Sequence, residues 1–394
     1  VFSLFAIGGF FFFVGGLLSS STLGFAAAAF LIFSPVFCYY SITVLPDVPA
    51  LAFLFVSLAY WESRASRSPR MCVTAALSFL LVASLIKVSC LLAAPYYFVD
   101  ALRNRRVRTF EYATILGLGA VTTVVAAWVL FARHLSEVHH NNDFILAANL
   151  PSEFSAALQV LKKIFTAWLP ELYINYAEFA FLVVGVYVLV KFGHRQVIRF
   201  ASIYAMSLMG FIYLQLPMFE IHDYYMLPSL PLLITLVVLG FDRLVSLSAT
   251  RTWIGVLTLV LLIAVPIIGT FRALPRFSRA TVREGLLLID DHLDRVIPDR
   301  SALIIAASDR SSSIYLYFMH RKGWSTTEDV ADEALLEMID SGAEYLVSDS
   351  RKLEERPGIR KHLTMLSSFG DFNIFRTNRR LNAQTLSDLI DLER

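Results

Sequence analysis

The chain has 394 residues, 57% of them hydrophobic and only 17% charged, with a mean hydropathy of +0.62 and a formal net charge of +2. A soluble globular chain is about a quarter charged, so the composition excludes a protein that is soluble throughout. The three cysteines, Cys38, Cys72 and Cys90, sit in or beside apolar runs without metal-ligand spacing, which reads as buried thiols and not as a disulfide framework.

A membrane-spanning helix needs ~20 apolar residues. In chain order the runs that qualify, or nearly so, are 1–18, 23–40, 48–61, 71–87, 88–100, 111–131, 171–191, 197–216, 225–241 and 253–271. The third and fifth are short, and 71–87 with 88–100 reads as a hairpin turning near Lys87 to Cys90. The chain opens on Val1 with no basic region ahead of its first run, so it reads as a fragment with upstream sequence missing.

The loops differ in charge. One set carries Arg64, Arg67 and Arg70, then Arg103, Arg105, Arg106 and Arg108, then Lys191, Arg195 and Arg199, then Arg243 and Arg251. The alternate set is poor in cations: 41–47 and 217–224 carry none, and 132–170 carries Arg133, Lys162 and Lys163. By the positive-inside rule the first set is cytoplasmic. The turn at Asp47, the segment 132–170, the loop around His222 and the C-terminal region then share the outer face.

After Phe271 the pattern becomes that of a soluble domain. Residues 281–296 have helical periodicity, 302–307 (ALIIAA) suits a buried strand, 328–341 is helical, and 344–347 and 372–375 suit strands. Helices alternating with strands predict a small α/β layer. The expected fold is therefore mainly α: a polytopic transmembrane helix bundle over 1–271, followed by a small α/β soluble domain over 272–394. That domain has no Gly-rich phosphate loop or nucleophile elbow, so it reads as a scaffold or acceptor-recognition module.

Ionisable groups in or at the mouth of spans are costly and mark function. Asp47 lies between Pro46 and Pro49, which restrict its turn, close behind Tyr40. It suits an active-site carboxylate, and equally an N-cap for the next helix. Lys87 is a lone cation in an apolar stretch, placed either to snorkel to the interface or to attract a lipid phosphate. Glu220, His222, Asp223, Tyr224 and Tyr225 crowd the mouth of one span. An aromatic belt explains the tyrosines but not the two carboxylates and the imidazole. His139 and His140 are adjacent, which is poor metal spacing, and read as a solvated loop.

These residues, in this order, resemble a known family. The run SPVFCYYSITVLPDVPALAFLFVSLAYW is similar to the third and fourth spans of protein O-mannosyltransferases and lipid A aminoarabinose transferases, where a Pro–Asp pair closes the second outer loop. LIKVSCLLAAPYYF is similar to the next hairpin of that family, with Ile86 where the family has Thr before the Lys. FEIHDYYMLPSLPLL resembles its H-x-YY-x-LP-x-LP segment, from His222 to Pro231, and IYLYFMHRKGW resembles an LYY-x-x-RKGW run of its outer domains. The resemblance covers nearly the whole chain and implies membership of the C-type (GT-C) glycosyltransferases. These take a sugar from a polyprenyl phosphate on the outer face of the membrane.

The resemblance implies that Asp47 is the second-loop carboxylate at the active site and that Lys87 neighbours the carrier phosphate. It further implies that Tyr40, Glu220, His222, Asp223, Tyr224 and Tyr225 line the cavity. It departs at one point: the family's principal carboxylate precedes the run that Val1 opens, so the main base is expected upstream. The expected partners are a polyprenyl-phosphate sugar donor, a lipid, glycan or protein acceptor and membrane lipids, with no nucleic acid. No cofactor is expected and a divalent metal is not indicated. The expected location is the bacterial inner membrane, with the C-terminal domain outside the cytoplasm. The rival classes are a lipid-linked glycan transporter or flippase, for which no internal repeat is visible, and a polysaccharide polymerase or ligase, for which 132–170 is long enough.

Overall fold

The computed structural model describes residues 1–43, 45–64, 68–103, 108–138, 154–216, 218–278, 284–309 and 314–378. His139 and His140 lie outside the described residues. The chain divides into two compact units, Val1–Ser278 and Arg279–Arg394.

The first unit is built of helices. It opens with α1 (Phe2–Leu17), α2 (Ser21–Phe33), α3 (Pro35–Tyr40), α4 (Asp47–Ser63) and α5 (Pro69–Ile86). Ser20 caps α2 by accepting from the Leu23 N–H. Ser34 caps α3, with Pro35 at its first position, where the missing N–H costs nothing. Lys87 is extended, and a 3-10 segment, Val88–Ala93, leads into α6 (Ala94–Arg103). Then follow α7 (Arg108–Val138) and α8 (Phe154–Lys163), which runs into a π-helical segment, Ile164–Tyr173. A capping box of Asn175 and Glu178 starts α9 (Tyr176–Phe192). The unit ends with α10 (Arg195–Leu214), the short α11 (Met218–Ile221), a 3-10 segment Asp223–Ser229, α12 (Leu230–Ser248) and α13 (Thr252–Ser278).

Five helices are long and apolar enough to cross a membrane: Pro69–Ile86, Tyr112–Leu135, Arg195–Leu214, Asp223–Ser248 and Thr252–Phe277. A sixth is added if Ala157–Tyr173 and Tyr176–Phe192, bent by 115°, form one broken span. The chain is thus an integral membrane protein by the length and composition of its helices, but the ten spans expected from the apolar runs are not all of spanning length. α1, α2 and α4 have 16, 13 and 17 residues. At ~1.5 Å per residue they fall short of a hydrocarbon core of ~30 Å. α4 is apolar for a different reason: all but a few of its residues are buried, and it packs against α1 and α5. The run 88–100 is divided between the 3-10 segment and the ten-residue α6.

The closest approach in this unit is that of α9 to α12. A Cβ placed on Gly185 would lie 1.8 Å from the Leu236 carbonyl oxygen, and one on Gly240 would lie 1.9 Å from that of Phe181. Small residues that bring two backbones into contact are how helices associate in lipid, where apolar burial gives no drive.

The second unit is a five-stranded mixed sheet. Its strands are β1 (Leu303–Ala307), β2 (Lys322–Thr326), β3 (Tyr345–Ser348), β4 (Leu363–Phe369) and β5 (Phe372–Thr377), in the order β2-β1-β3-β5-β4. β1 is parallel to β2 and β3, while β5 is antiparallel to β3 and β4. Side chains alternate across β1. Ile304 and Ala306 join a core with Leu286, Ile289 and Leu293 of α14 (Glu284–Val296), backed by Leu316 and Phe318 of α15 (Ile314–Phe318). Ile305 and Ala307 join a second core with Leu335 and Ile339 of α16 (Asp332–Asp340). Cover on both faces is why ALIIAA is continuously apolar. α17 (Arg351–Glu354) and α18 (Pro357–Arg360) add Leu353 and Ile359 to that second core.

Candidate functional site

Four separated stretches of the first unit meet at the start of α4. Pro46 takes the cap position and Asp47 is the first helical residue, with no side-chain capping bond, so the N-cap reading of Asp47 is corrected. Its carboxylate favours the positive end of the helix, but its side-chain partner is the Lys87 ammonium, with which it forms an ion pair. Asp47 is 2% exposed. A carboxylate so buried is tolerated only when paired.

Lys87 sits where α5 has ended and the chain is extended. Its Nζ lies 4.4 Å from the ring centroid of Tyr224 and 5.1 Å from that of Tyr225, within cation–π range of both. The His222 ring stacks on Tyr224 at 4.9 Å and on Tyr225 at 6.0 Å. Burial lowers the His222 pKa, the Lys87 charge adds to this, and Asp223 opposes it. Asp223 accepts a 2.6 Å hydrogen bond from the Tyr40 hydroxyl and pairs with Arg276 at 2.8 Å. The Tyr173 hydroxyl donates to the Asp223 carbonyl at 2.6 Å, and Ser34, the cap of α3, donates to the Tyr173 carbonyl at 2.7 Å. These bonds tie the 3-10 segment to the α3 end that carries Tyr40.

Of the residues singled out in the sequence, Asp47, Lys87, Tyr40, His222, Asp223, Tyr224 and Tyr225 thus come together. Glu220 lies in α11, and its side chain lies outside the described part of the structure. Sequence reasoning missed Arg276 and Tyr173. Arg276 lies beyond the apolar run 253–271, but α13 continues through Pro275 to Ser278 and carries it back to Asp223. Its four-residue spacing from Arg272 on one helix was the available signal. Among the described residues no group of three or more His, Cys, Asp or Glu side chains is placed to hold a metal ion.

A second polar cluster lies at the other end of α4, ~22 Å away at 1.5 Å per residue. Asp100 of α6 pairs with Arg64 and Arg199 and accepts from the Trp61 indole at 3.2 Å. Glu62 accepts from the Tyr96 hydroxyl at 2.6 Å and from the Gln196 amide. Trp61, Tyr96 and Tyr97 are at most 1% exposed, so this cluster is a closed staple between α4, α6 and α10. No protein-family model matches the chain and no curated protein matches it, so what it does is argued from these two clusters and the bundle that joins them.

Proposed function

We propose that the chain is a membrane glycosyltransferase of C-type architecture that moves a sugar from a polyprenyl-phosphate donor to an acceptor outside the cytoplasm. The observation that carries this reading is a buried carboxylate, Asp47, paired with Lys87 beneath the half-buried rings of His222, Tyr224 and Tyr225. Such a mouth offers what transfer from a lipid phosphate requires. The acceptor hydroxyl attacks the anomeric carbon, and its proton passes to a carboxylate. The bond from that carbon to the phosphate oxygen breaks, its electron pair stays on the phosphate, and a cation stabilises the charge that develops there. Direct displacement inverts the anomeric centre.

In this reading Asp47 is the carboxylate this chain brings to the reacting centre, and Tyr40, Tyr224, Tyr225 and His222 form the rim that holds donor and acceptor. The loops rich in arginine face the cytoplasm of a bacterial cell, and the second unit faces the periplasm. The test is transfer from a radiolabelled polyprenyl-phosphate sugar in proteoliposomes holding the full-length protein. Label should pass to an acceptor, and Asp47→Asn should lower transfer by at least ~100-fold, the lower end for a positioned general base. Label that crosses the bilayer without being consumed would identify a flippase, and unchanged transfer by Asp47→Asn would reject the assignment.

A further inference from the structure

Two cations reach the candidate site, and their surroundings differ. Lys87 is enclosed: its ammonium is paired with Asp47, and the faces of Tyr224 and Tyr225 lie 4.4 Å and 5.1 Å from its Nζ. An ammonium has three N–H donors, and here one carboxylate and two ring faces surround them.

Arg276 is anchored on one side only. Its Nη2 donates to Asp223 at 2.8 Å and to the Tyr40 hydroxyl at 3.3 Å. Its guanidinium carbon lies 4.3 Å from the Tyr39 ring centroid and 5.2 Å from that of Tyr40, so two rings flank the guanidinium. Its Nη1 is buried and has no hydrogen-bond partner among the described residues. Asp223 is shared, since it also accepts from Tyr40. The Arg276 side chain is 19% exposed, so the group is sheltered yet reachable. A guanidinium with one arm held, rings against it and the other arm without an acceptor is arranged to take an anionic oxygen.

We propose that Arg276, and not Lys87, receives the phosphate of the polyprenyl carrier, and that Lys87 is a positioning residue that holds the Asp47 carboxylate. The proposal rests on the function argued above and divides its labour. Asp47–Lys87 keeps the carboxylate ionised and aimed, while Arg276 and the rings of Tyr39 and Tyr40 form the phosphate subsite.

The test is equilibrium binding of a long-chain polyprenyl phosphate to the full-length protein in nanodiscs, with the uncharged polyprenol and inorganic phosphate as comparison ligands. Wild type should prefer the phosphate lipid over the alcohol by at least ~10-fold, the weight of one charge-assisted pair. Arg276→Gln should abolish that preference. Lys87→Gln should keep it while sugar transfer falls, which is the split expected of a residue that acts through Asp47. Loss of preference in Lys87→Gln with full preference in Arg276→Gln would overturn the proposal and leave the glycosyltransferase reading intact. Absence of preference in wild type would overturn both. Inorganic phosphate binding as tightly as the lipid would assign Arg276 to a free anion, against the proposal. If Arg276→Gln does not fold, arginine-selective labelling of wild type gives the same answer. The phosphate lipid should protect Arg276 from phenylglyoxal and the polyprenol should not, and equal labelling with both would refute the subsite.

Discussion

The Asp47–Lys87 pair allows a quantitative test that needs no substrate. The Asp47 side chain is 3% exposed and that of Lys87 17%, so both charges are largely out of water. Removing one partner of such a pair leaves the other desolvated and unmatched, at a cost of about 3–5 kcal/mol, whereas replacing both with neutral groups of similar volume is close to neutral. Lys87→Met should therefore destabilise the bundle by about that amount, because the carboxylate is the more deeply buried partner. Lys87→Met combined with Asp47→Asn should recover most of the loss and give a coupling of about 2–4 kcal/mol in the double-mutant cycle. At about 2–4 °C per kcal/mol for a chain of this size, the single variant should melt roughly 10 °C lower in detergent and the double variant within a few degrees of wild type. The assay is thermal unfolding followed by fluorescence-detected size exclusion. Additive losses from Lys87→Met and Asp47→Asn would refute the claim that the two side chains satisfy one another.

Three further outcomes follow from other parts of the structure. Gly185→Ala and Gly240→Ala should each destabilise the first unit by about 1–3 kcal/mol or more, the usual cost of overpacking, because a Cβ at either position would meet a backbone carbonyl at 1.8 Å or 1.9 Å; thermal unfolding reads this. Asp100→Asn should lower melting by several degrees and leave the preference for polyprenyl phosphate over polyprenol unchanged, since Asp100 holds Arg64 and Arg199 at the far end of α4. In the second unit, hydrogen bonds from Arg300 and Arg321 hold the Asp294 carboxyl at about 2, below its ordinary 3.8. A carboxyl whose folded value is depressed stabilises the fold above its unfolded value and loses that contribution as pH falls through the folded one. Melting temperature should therefore fall between about pH 4 and pH 2, and Asp294→Asn should flatten that part of the profile.

The parts of this fold that could be read in the sequence are those in which one force acts alone. β1 was legible because both faces of the sheet are covered and every residue of ALIIAA has an apolar reason to be there. β2 and β4 were not, because they are the two edges of the sheet. Their residues are largely exposed and carry no apolar run. The same distinction explains the overcounted spans. Hydropathy registers the removal of a side chain from water and does not separate lipid contact from burial against other helices. α4 is apolar because it is enclosed. Asp47, Lys87 and the His222–Tyr225 group were legible because a charge or a polar cluster beside a span has few structural excuses. Arg276 was lost to a boundary drawn where apolar content stops, although α13 runs on to Ser278.

The two ends of α4 pose the remaining question of which cluster is functional, since each brings together two carboxylates and two guanidinium or ammonium groups. Charge does not separate them, but their aromatic neighbours do. At the Asp100 end Trp61 and Tyr97 stack at 4.3 Å, and these rings and Tyr96 are shut away from solvent. Three helices are locked there and no ring face is left for a ligand. At the Asp47 end His222, Tyr224 and Tyr225 are only half-buried, their planes lie within 29° of one another, and they cover a paired cation. A half-open stack of rings above a sheltered charge pair presents an amphipathic ligand with both an apolar face and a polar anchor. A molecule that is part lipid, part sugar and part phosphate has need of each, and for this reason the chemistry is assigned to the Asp47 end and the mechanical role to the Asp100 end.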